Sequence, residues 1–224
     1  MKIEKTTILV FVAITFISGL FTKANTNLIL NGSFEVGTNP GATIPLSNGS
    51  TAITGWEVTR GGIDYKGTYW VAFDGNRSLD LDNSPGFGGI MQTFATNAGQ
   101  EYLVTFAMAG NPYWDQILND PPIKYMRVEA AGDPADFSFN VTGHDYNNMG
   151  WETRSWQFTA DSNSTTIEFY SLDSSEGRYS GYSGYCGPTL DNVSVSIVPE
   201  PATVCLLGLG ALSLLRSSRR RREP

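Results

Sequence analysis

The chain has 224 residues, 41% of them hydrophobic, a formal charge of −7 and a single histidine. Between Asn25 and Val198 seven Lys and Arg stand against nineteen Asp and Glu, a formal charge near −12. Such a surface repels phosphate backbones and argues against nucleic acid as a partner; the acidity serves either plain solubility or attraction of divalent cations and of neutral or cationic polymers.

At the N-terminus Lys2 and Lys5 precede an apolar run from Ile8 to Phe21, and a small residue follows at Ala24. A cationic start, a run of this length and a small residue form the pattern of an export signal, which assigns 1–24 to a signal helix with cleavage after Ala24. A buried core helix is the alternative reading.

Residues 25–198 are enough for one domain with a substantial core. No helical period is sustained there. Short runs rich in β-branched and aromatic residues recur instead: Trp56–Arg60, Tyr69–Phe73, Ile90–Phe94, Glu101–Ala109, Lys124–Ala130, Ser155–Thr159, Thr165–Leu172 and Leu190–Ile197. Tyr102, Val104, Phe106 and Met108 would share one face, as would Trp156 with Phe158, Ile167 with Phe169, and Val193 with Val195 and Ile197. Short strands without crossover helices favour an antiparallel β-sandwich, and a jelly roll is the best single architecture. The polar stretches Thr38–Thr54 and Ser174–Pro188 read as loops. Cys186 is the one cysteine of this domain, so no disulfide closes within it; a free thiol is expected, and the fold relies on its core or on a bound metal.

Asn27-Leu28-Ile29-Leu30-Asn31-Gly32-Ser33-Phe34-Glu35 resembles the opening strand of galactose-binding-like jelly rolls. Ile63-Asp64-Tyr65, Trp70, Asp74-Gly75, Ser78-Leu79-Asp80-Leu81, Gly110-Asn111-Pro112 and Gly187 to Val195 extend the likeness to choice-of-anchor C bacterial domains. The resemblance implies a galactose-binding-like sandwich whose relatives often contact polysaccharide. The stretch Tyr113–Pro122 departs from it.

Strand parity puts Asp191 on the side of Val193, Val195 and Ile197, and a carboxylate at a core edge is costly unless it is paired or bound to metal. Glu35, closing the first strand, is its expected neighbour. Ca²⁺ takes six to eight oxygen ligands, so Glu35 and Asp191 are a candidate clamp for one structural Ca²⁺, as the resemblance also implies; turn capping by Asp191 is the alternative. Aromatic faces stack on sugars. Trp114 and the tyrosines Tyr179, Tyr182 and Tyr185, the latter three set among Gly and Ser, are the candidate carbohydrate contacts, against the reading of a solvated loop. His144 has no recognisable nucleophile motif beside it, and no catalytic residue is assigned; a polysaccharide-cleaving enzyme using two carboxylates is the alternative.

The chain's far end carries Val198-Pro199-Glu200-Pro201-Ala202, an apolar run to Leu215, and Arg216, Arg219, Arg220, Arg221 and Arg222. The run is short for a permanent span, and the arginines would hold their flank in the cytoplasm. These parts in this order resemble the PEP-CTERM sorting signal, with Pro199, Glu200 and Pro201 as its motif. That resemblance implies processing by an exosortase, at least transient membrane attachment through the C-terminal helix, and delivery to the cell surface or extracellular matrix in bacteria that make exopolysaccharide. The expected function is a non-catalytic surface module binding extracellular polysaccharide. A structural or adhesive matrix protein with protein partners is the alternative.

Overall fold

Tyr102, Val104, Phe106 and Met108 are all buried on one side of a ten-residue strand, and that alternation organises half of the molecule. The computed structural model describes residues 26–83, 86–116, 120–173, 181 and 183–199. Both expected terminal helices lie outside the described residues. The strands are β1 (Thr43–Ser47), β2 (Glu57–Arg60), β3 (Gly62–Lys66), β4 (Ser78–Asp80), β5 (Gly88–Ala95), β6 (Glu101–Gly110), β7 (Ile123–Ala130), β8 (Asp133–Asn140), β9 (Glu152–Thr159), β10 (Ser164–Ser171) and β11 (Pro188–Ile197). A six-stranded sheet runs β1-β3-β4-β11-β6-β9 and a five-stranded sheet runs β2-β5-β10-β7-β8, with every pairing antiparallel. The antiparallel jelly-roll sandwich read from the strand pattern is the fold observed.

Its core interleaves aromatic rings from both sheets. Tyr102 and Phe158 stack at 5.4 Å with Phe94 edge-on to each, and Phe106 contacts Phe169 at 5.2 Å and Phe137 at 5.1 Å. Each fully buried ring contributes roughly 1.5–3 kcal/mol by leaving water.

Four expectations need correction. The Thr38–Thr54 stretch contains β1; Pro45 lacks an N–H, and β1 is an edge strand paired only with β3, where that loss is tolerated. Tyr69–Phe73 is not a strand, because its donors go elsewhere: Val71 N to Tyr146 O, Phe73 N to Asp191 Oδ2 and the Trp70 indole N–H to Ser78 Oγ. Asn27–Glu35 follows β11 through Leu28 N to Val195 O and Val193 N to Gly32 O, yet turns instead of forming a strand. Asn31 and Phe34 have positive φ there, and the Asn31 side chain bonds Val36 and Thr54 backbone groups. Finally, Asp191 does not share a face with Val193. Asp191 pairs with Ala107 but Ser194 pairs with Thr105, so Asn192 and Val193 together oppose Phe106 in a β-bulge that reverses parity.

Candidate functional site

The bulge puts Asp191 on the outer face of the six-stranded sheet, and that face is unusually polar for one so thoroughly covered. Asp64, Asp80 and Thr189 lie in one cross-strand row that ends at Ala109, and Lys66 pairs with Ser78 in the row beside it. Their strand neighbours Ile63, Tyr65, Leu79 and Leu190 fill the core, so alternation turns these polar residues outward, where all five are buried. Lys66 Nζ donates to Asp64 Oδ2 at 2.9 Å and lies 4.7 Å from the Tyr69 ring and 5.2 Å from that of Trp70. Burial pushes the Asp80 carboxyl up to about 6, against the lowering pull of Lys66.

Asn111 ties this floor to the aromatic residues above it. Its Nδ2 donates to Asp80 Oδ2 at 2.7 Å, its Oδ1 accepts Tyr113 N at 2.9 Å, and its own N–H donates to Gly187 O. Tyr113 is 39% exposed and Tyr185, two residues before Gly187, is 42% exposed. Tyr69 meets Tyr146 edge-on at 5.4 Å, and Phe73 meets Trp151 at 6.5 Å, with Phe73 also exposed. The Tyr146 hydroxyl is pushed up by burial and then by Tyr69, with Cys186 and Tyr113 within electrostatic reach. Tyr113 and Tyr185 are thus exposed beside Asn111, whose amide bonds the buried Asp80, and Phe73 is exposed against Trp151 in the loop that Asp191 holds. By contrast, a depression of about 270 Å³ lined by Thr51, Gly55, Trp56, Glu57, Met91, Gln92 and Thr93 has one aromatic, Trp56, and that ring is buried.

A second group of buried acids adjoins the floor. Lys124 and Asp120 form an ion pair with side chains 0% and 1% exposed, and Asp120 Oδ1 also accepts Ser183 N and Oγ. Asp82 is fully buried with neither oxygen hydrogen-bonded, while Asp173 Oδ1 accepts Tyr125 N at 2.8 Å and its Oδ2 has no partner. Burial raises both carboxyls well above the usual range, and Asp173 and Asp80 raise Asp82 further.

Glu35 and Asp191 converge on one loop. Glu35 Oε1 accepts Asn76 N and Arg77 N; Asp191 Oδ2 accepts Phe73 N and Asp74 N, and its Oδ1 accepts Asn192 N. Five backbone N–H groups thus point at three carboxylate oxygens, the positive partners that a cation would otherwise supply. Among the described residues no three Asp, Glu, His or Cys side chains gather as a metal centre. Burial nevertheless pushes the Asp191 carboxyl up to about 7 against the pull of its three N–H donors.

A family profile described as "Protein of unknown function (DUF642)" matches residues 27–196. The chain belongs to the DUF642 family. A PEP-CTERM protein-sorting motif matches residues 198–222, immediately after the DUF642 domain, and marks an exported protein associated with the cell surface. Halomucin of Haloquadratum walsbyi is 31% identical over 189 residues, which make up 82% of this chain and 2% of halomucin. Among solved structures, TmCBM61 in complex with beta-1,4-galactotriose is 14% identical at a TM-score of 0.44, covering 77% of this chain and 99% of that one. A family 35 carbohydrate binding module from Clostridium thermocellum is 14% identical at 0.43, covering 68% and 97%. An arabinose-bound MgGH51 arabinofuranosidase is 11% identical at 0.46, covering 77% and 26%. Likeness this low carries no argument about a ligand.

Two of the expected sugar contacts fall among the described residues of the DUF642 domain. Tyr185 is exposed beside the Asn111 junction, whereas Trp114 is half-buried against the core. Tyr179 and Tyr182 lie outside the described residues, as do Glu200, Pro201, Arg216, Arg219, Arg220, Arg221 and Arg222; Pro199 is described and exposed. His144 packs on Phe139 at 5.3 Å, and Cys186 is a buried free thiol whose pKa burial pushes up. Apart from Asp191, the buried acids of the DUF642 domain are not among the candidates the sequence yields, although two signals for them are present. Asp80 and Asp82 alternate with Leu79 and Leu81, and Lys124 shares strand parity with Met126, Val128 and Ala130, where only an acidic partner makes a lysine tolerable.

Proposed function

We propose that the DUF642 domain is a non-catalytic module that binds extracellular polysaccharide through the surface bearing Tyr113, Tyr185 and Phe73. The observation that carries this reading is the Asn111 junction, which holds two exposed tyrosines over buried, hydrogen-bonded carboxylates. Sugars present apolar C–H faces and a rim of hydroxyls; ring surfaces take the first, and preset polar groups orient the second. The acidic domain suits a neutral or cationic polymer, since a polyanion would be repelled. The tail serves retention: the apolar run from Ala202 to Leu215 and the arginines from Arg216 to Arg222 hold the chain at the membrane until an exosortase acts near Pro199-Glu200-Pro201.

Affinity electrophoresis of the full chain through gels containing neutral bacterial exopolysaccharides tests the reading. Retardation that Tyr185→Ala and Tyr113→Ala relieve is expected. Equal mobility in every polysaccharide gel, or release of oligosaccharide from any of them, overturns it.

A further inference from the structure

We propose that Asp82 and Asp173 together bind one hard divalent cation, with Ca²⁺ as the ion of choice. Asp82, just beyond β4, is fully buried and both of its oxygens lack a hydrogen-bond donor. Asp173, just beyond β10, is also buried and keeps Oδ2 unpartnered while Tyr125 N holds Oδ1. Ser171 Oγ stands beside the Asp82 carboxylate without a hydrogen bond of acceptable geometry. Three carboxylate oxygens and one hydroxyl oxygen are thus buried without a hydrogen bond, with Asp173 and Ser171 within reach of Asp82; an unpaired ionised carboxylate is severely unfavourable in such a place.

The Lys124 ammonium offsets only part of this at Asp82 and Asp173. Four carboxylates, those of Asp80, Asp82, Asp120 and Asp173, lie within electrostatic reach of the Lys124 ammonium or of each other, and Lys124 is bonded directly to Asp120. Lys66 is turned to Asp64. The neighbourhood therefore holds an excess of acid that backbone donors offset at Asp80, through Asp82 N and Gly187 N, but not at Asp82. Glu35 and Asp191 are the contrast: their loop supplies four N–H groups and Asn192 a fifth.

The backbone of Gly187 lies directly against two of these acids, since a Cβ there would come within 2.6 Å of Asp80 Oδ1 and 2.7 Å of Asp82 Cγ. Among the described residues no third acid, thiol or imidazole gathers with the two carboxylates, and neutral oxygens complete the proposed shell. Ca²⁺ accepts hydroxyl, carbonyl and water oxygens in a flexible shell of six to eight, whereas zinc prefers nitrogen and sulfur.

The test uses the full chain, stripped with chelator, dialysed, and titrated with Ca²⁺ while thermal unfolding and bound metal are measured. One Ca²⁺ per chain and a Tm rise of roughly 5–10 °C at hundredfold excess over Kd are expected. Asp82→Asn and Asp173→Asn should each abolish the rise while melting, free of Ca²⁺, at or above the stripped wild type, because a neutral amide replaces a buried acid. Ser171→Ala, which leaves the charges untouched, should weaken Ca²⁺ about tenfold. Glu35→Gln should keep the response. A wild type indifferent to Ca²⁺ overturns the proposal, as does a response that survives Asp82→Asn and Asp173→Asn or that Glu35→Gln alone removes.

Discussion

Glu35 and Asp191, far apart in sequence, grip the same five-residue loop: Asp191 Oδ2 takes the N–H groups of Phe73 and Asp74, and Glu35 Oε1 takes those of Asn76 and Arg77. The loop carries Phe73 and follows Tyr69 and Trp70, so these carboxylates set the position of one side of the proposed sugar surface. Asp191→Ala should cost about 2 kcal/mol, because it leaves three part-buried donors without their acceptor, and Glu35→Ala about 1 kcal/mol at its half-buried site. The double variant should fall short of the sum, since both act on one loop. Urea denaturation of the four proteins measures it, and strict additivity would refute shared control.

Lys124 and Asp120 form the most deeply buried ion pair among the described residues. Lys124→Met should destabilise the domain by roughly 3–5 kcal/mol by stranding Asp120. Adding Asp120→Asn should recover part of that loss, because Ser183 can still donate to the amide oxygen. A double variant no more stable than Lys124→Met alone would contradict this account.

Protonation favours the native state at Asp80 and Asp191. Their folded pKa values of about 6 and about 7 lie above the ordinary 3.8, so the native protein binds more protons than the unfolded chain between pH 4 and pH 7. Stability from these groups is complete below pH 4 and is lost as pH rises through that window, by about 3 kcal/mol for fully buried Asp80. In chelator, the Tm should therefore be higher at pH 5 than at pH 8. A Tm that climbs across this interval would mean the two acids are ionised when folded.

Tyr113→Ala and Tyr185→Ala should each weaken polysaccharide binding about tenfold, equivalent to about 1.4 kcal/mol, while moving the Tm little because both rings are exposed. Binding isotherms and melting curves on the same samples separate a lost contact from a lost fold. Unchanged affinity in both variants would exclude this surface.

Gly32 tests the chain's path beside the bulge. An added Cβ would lie 1.9 Å from Val193 O, while Gly32 O accepts Val193 N at 2.9 Å. Gly32→Ala should cost about 3 kcal/mol or more, measured by denaturation. A neutral substitution would show that the segment does not run against β11 as described.

Much of the fold was legible because strand alternation is written residue by residue. Tyr102, Val104, Phe106 and Met108 declared their face without any partner, as did Ile167 with Phe169. Asp191 was misplaced because parity carries across a strand only if its register is unbroken, and one extra residue at Asn192 and Val193 inverted it. Tyr69–Phe73 has the composition of a strand, but its hydrogen bonds are claimed by Tyr146, Ser78 and Asp191, all distant in sequence except Ser78.

By itself the sequence determined an exported chain with a sorting tail and a middle of alternating strands, since charge, apolar run length and period are local quantities. Only the tertiary structure decided which acids share a neighbourhood. Asp82 and Asp173 are 91 residues apart, and whether a carboxylate has a donor, a cation or nothing beside it depends on strand order and loop closure. Those are long-range outcomes of packing that no local spacing encodes.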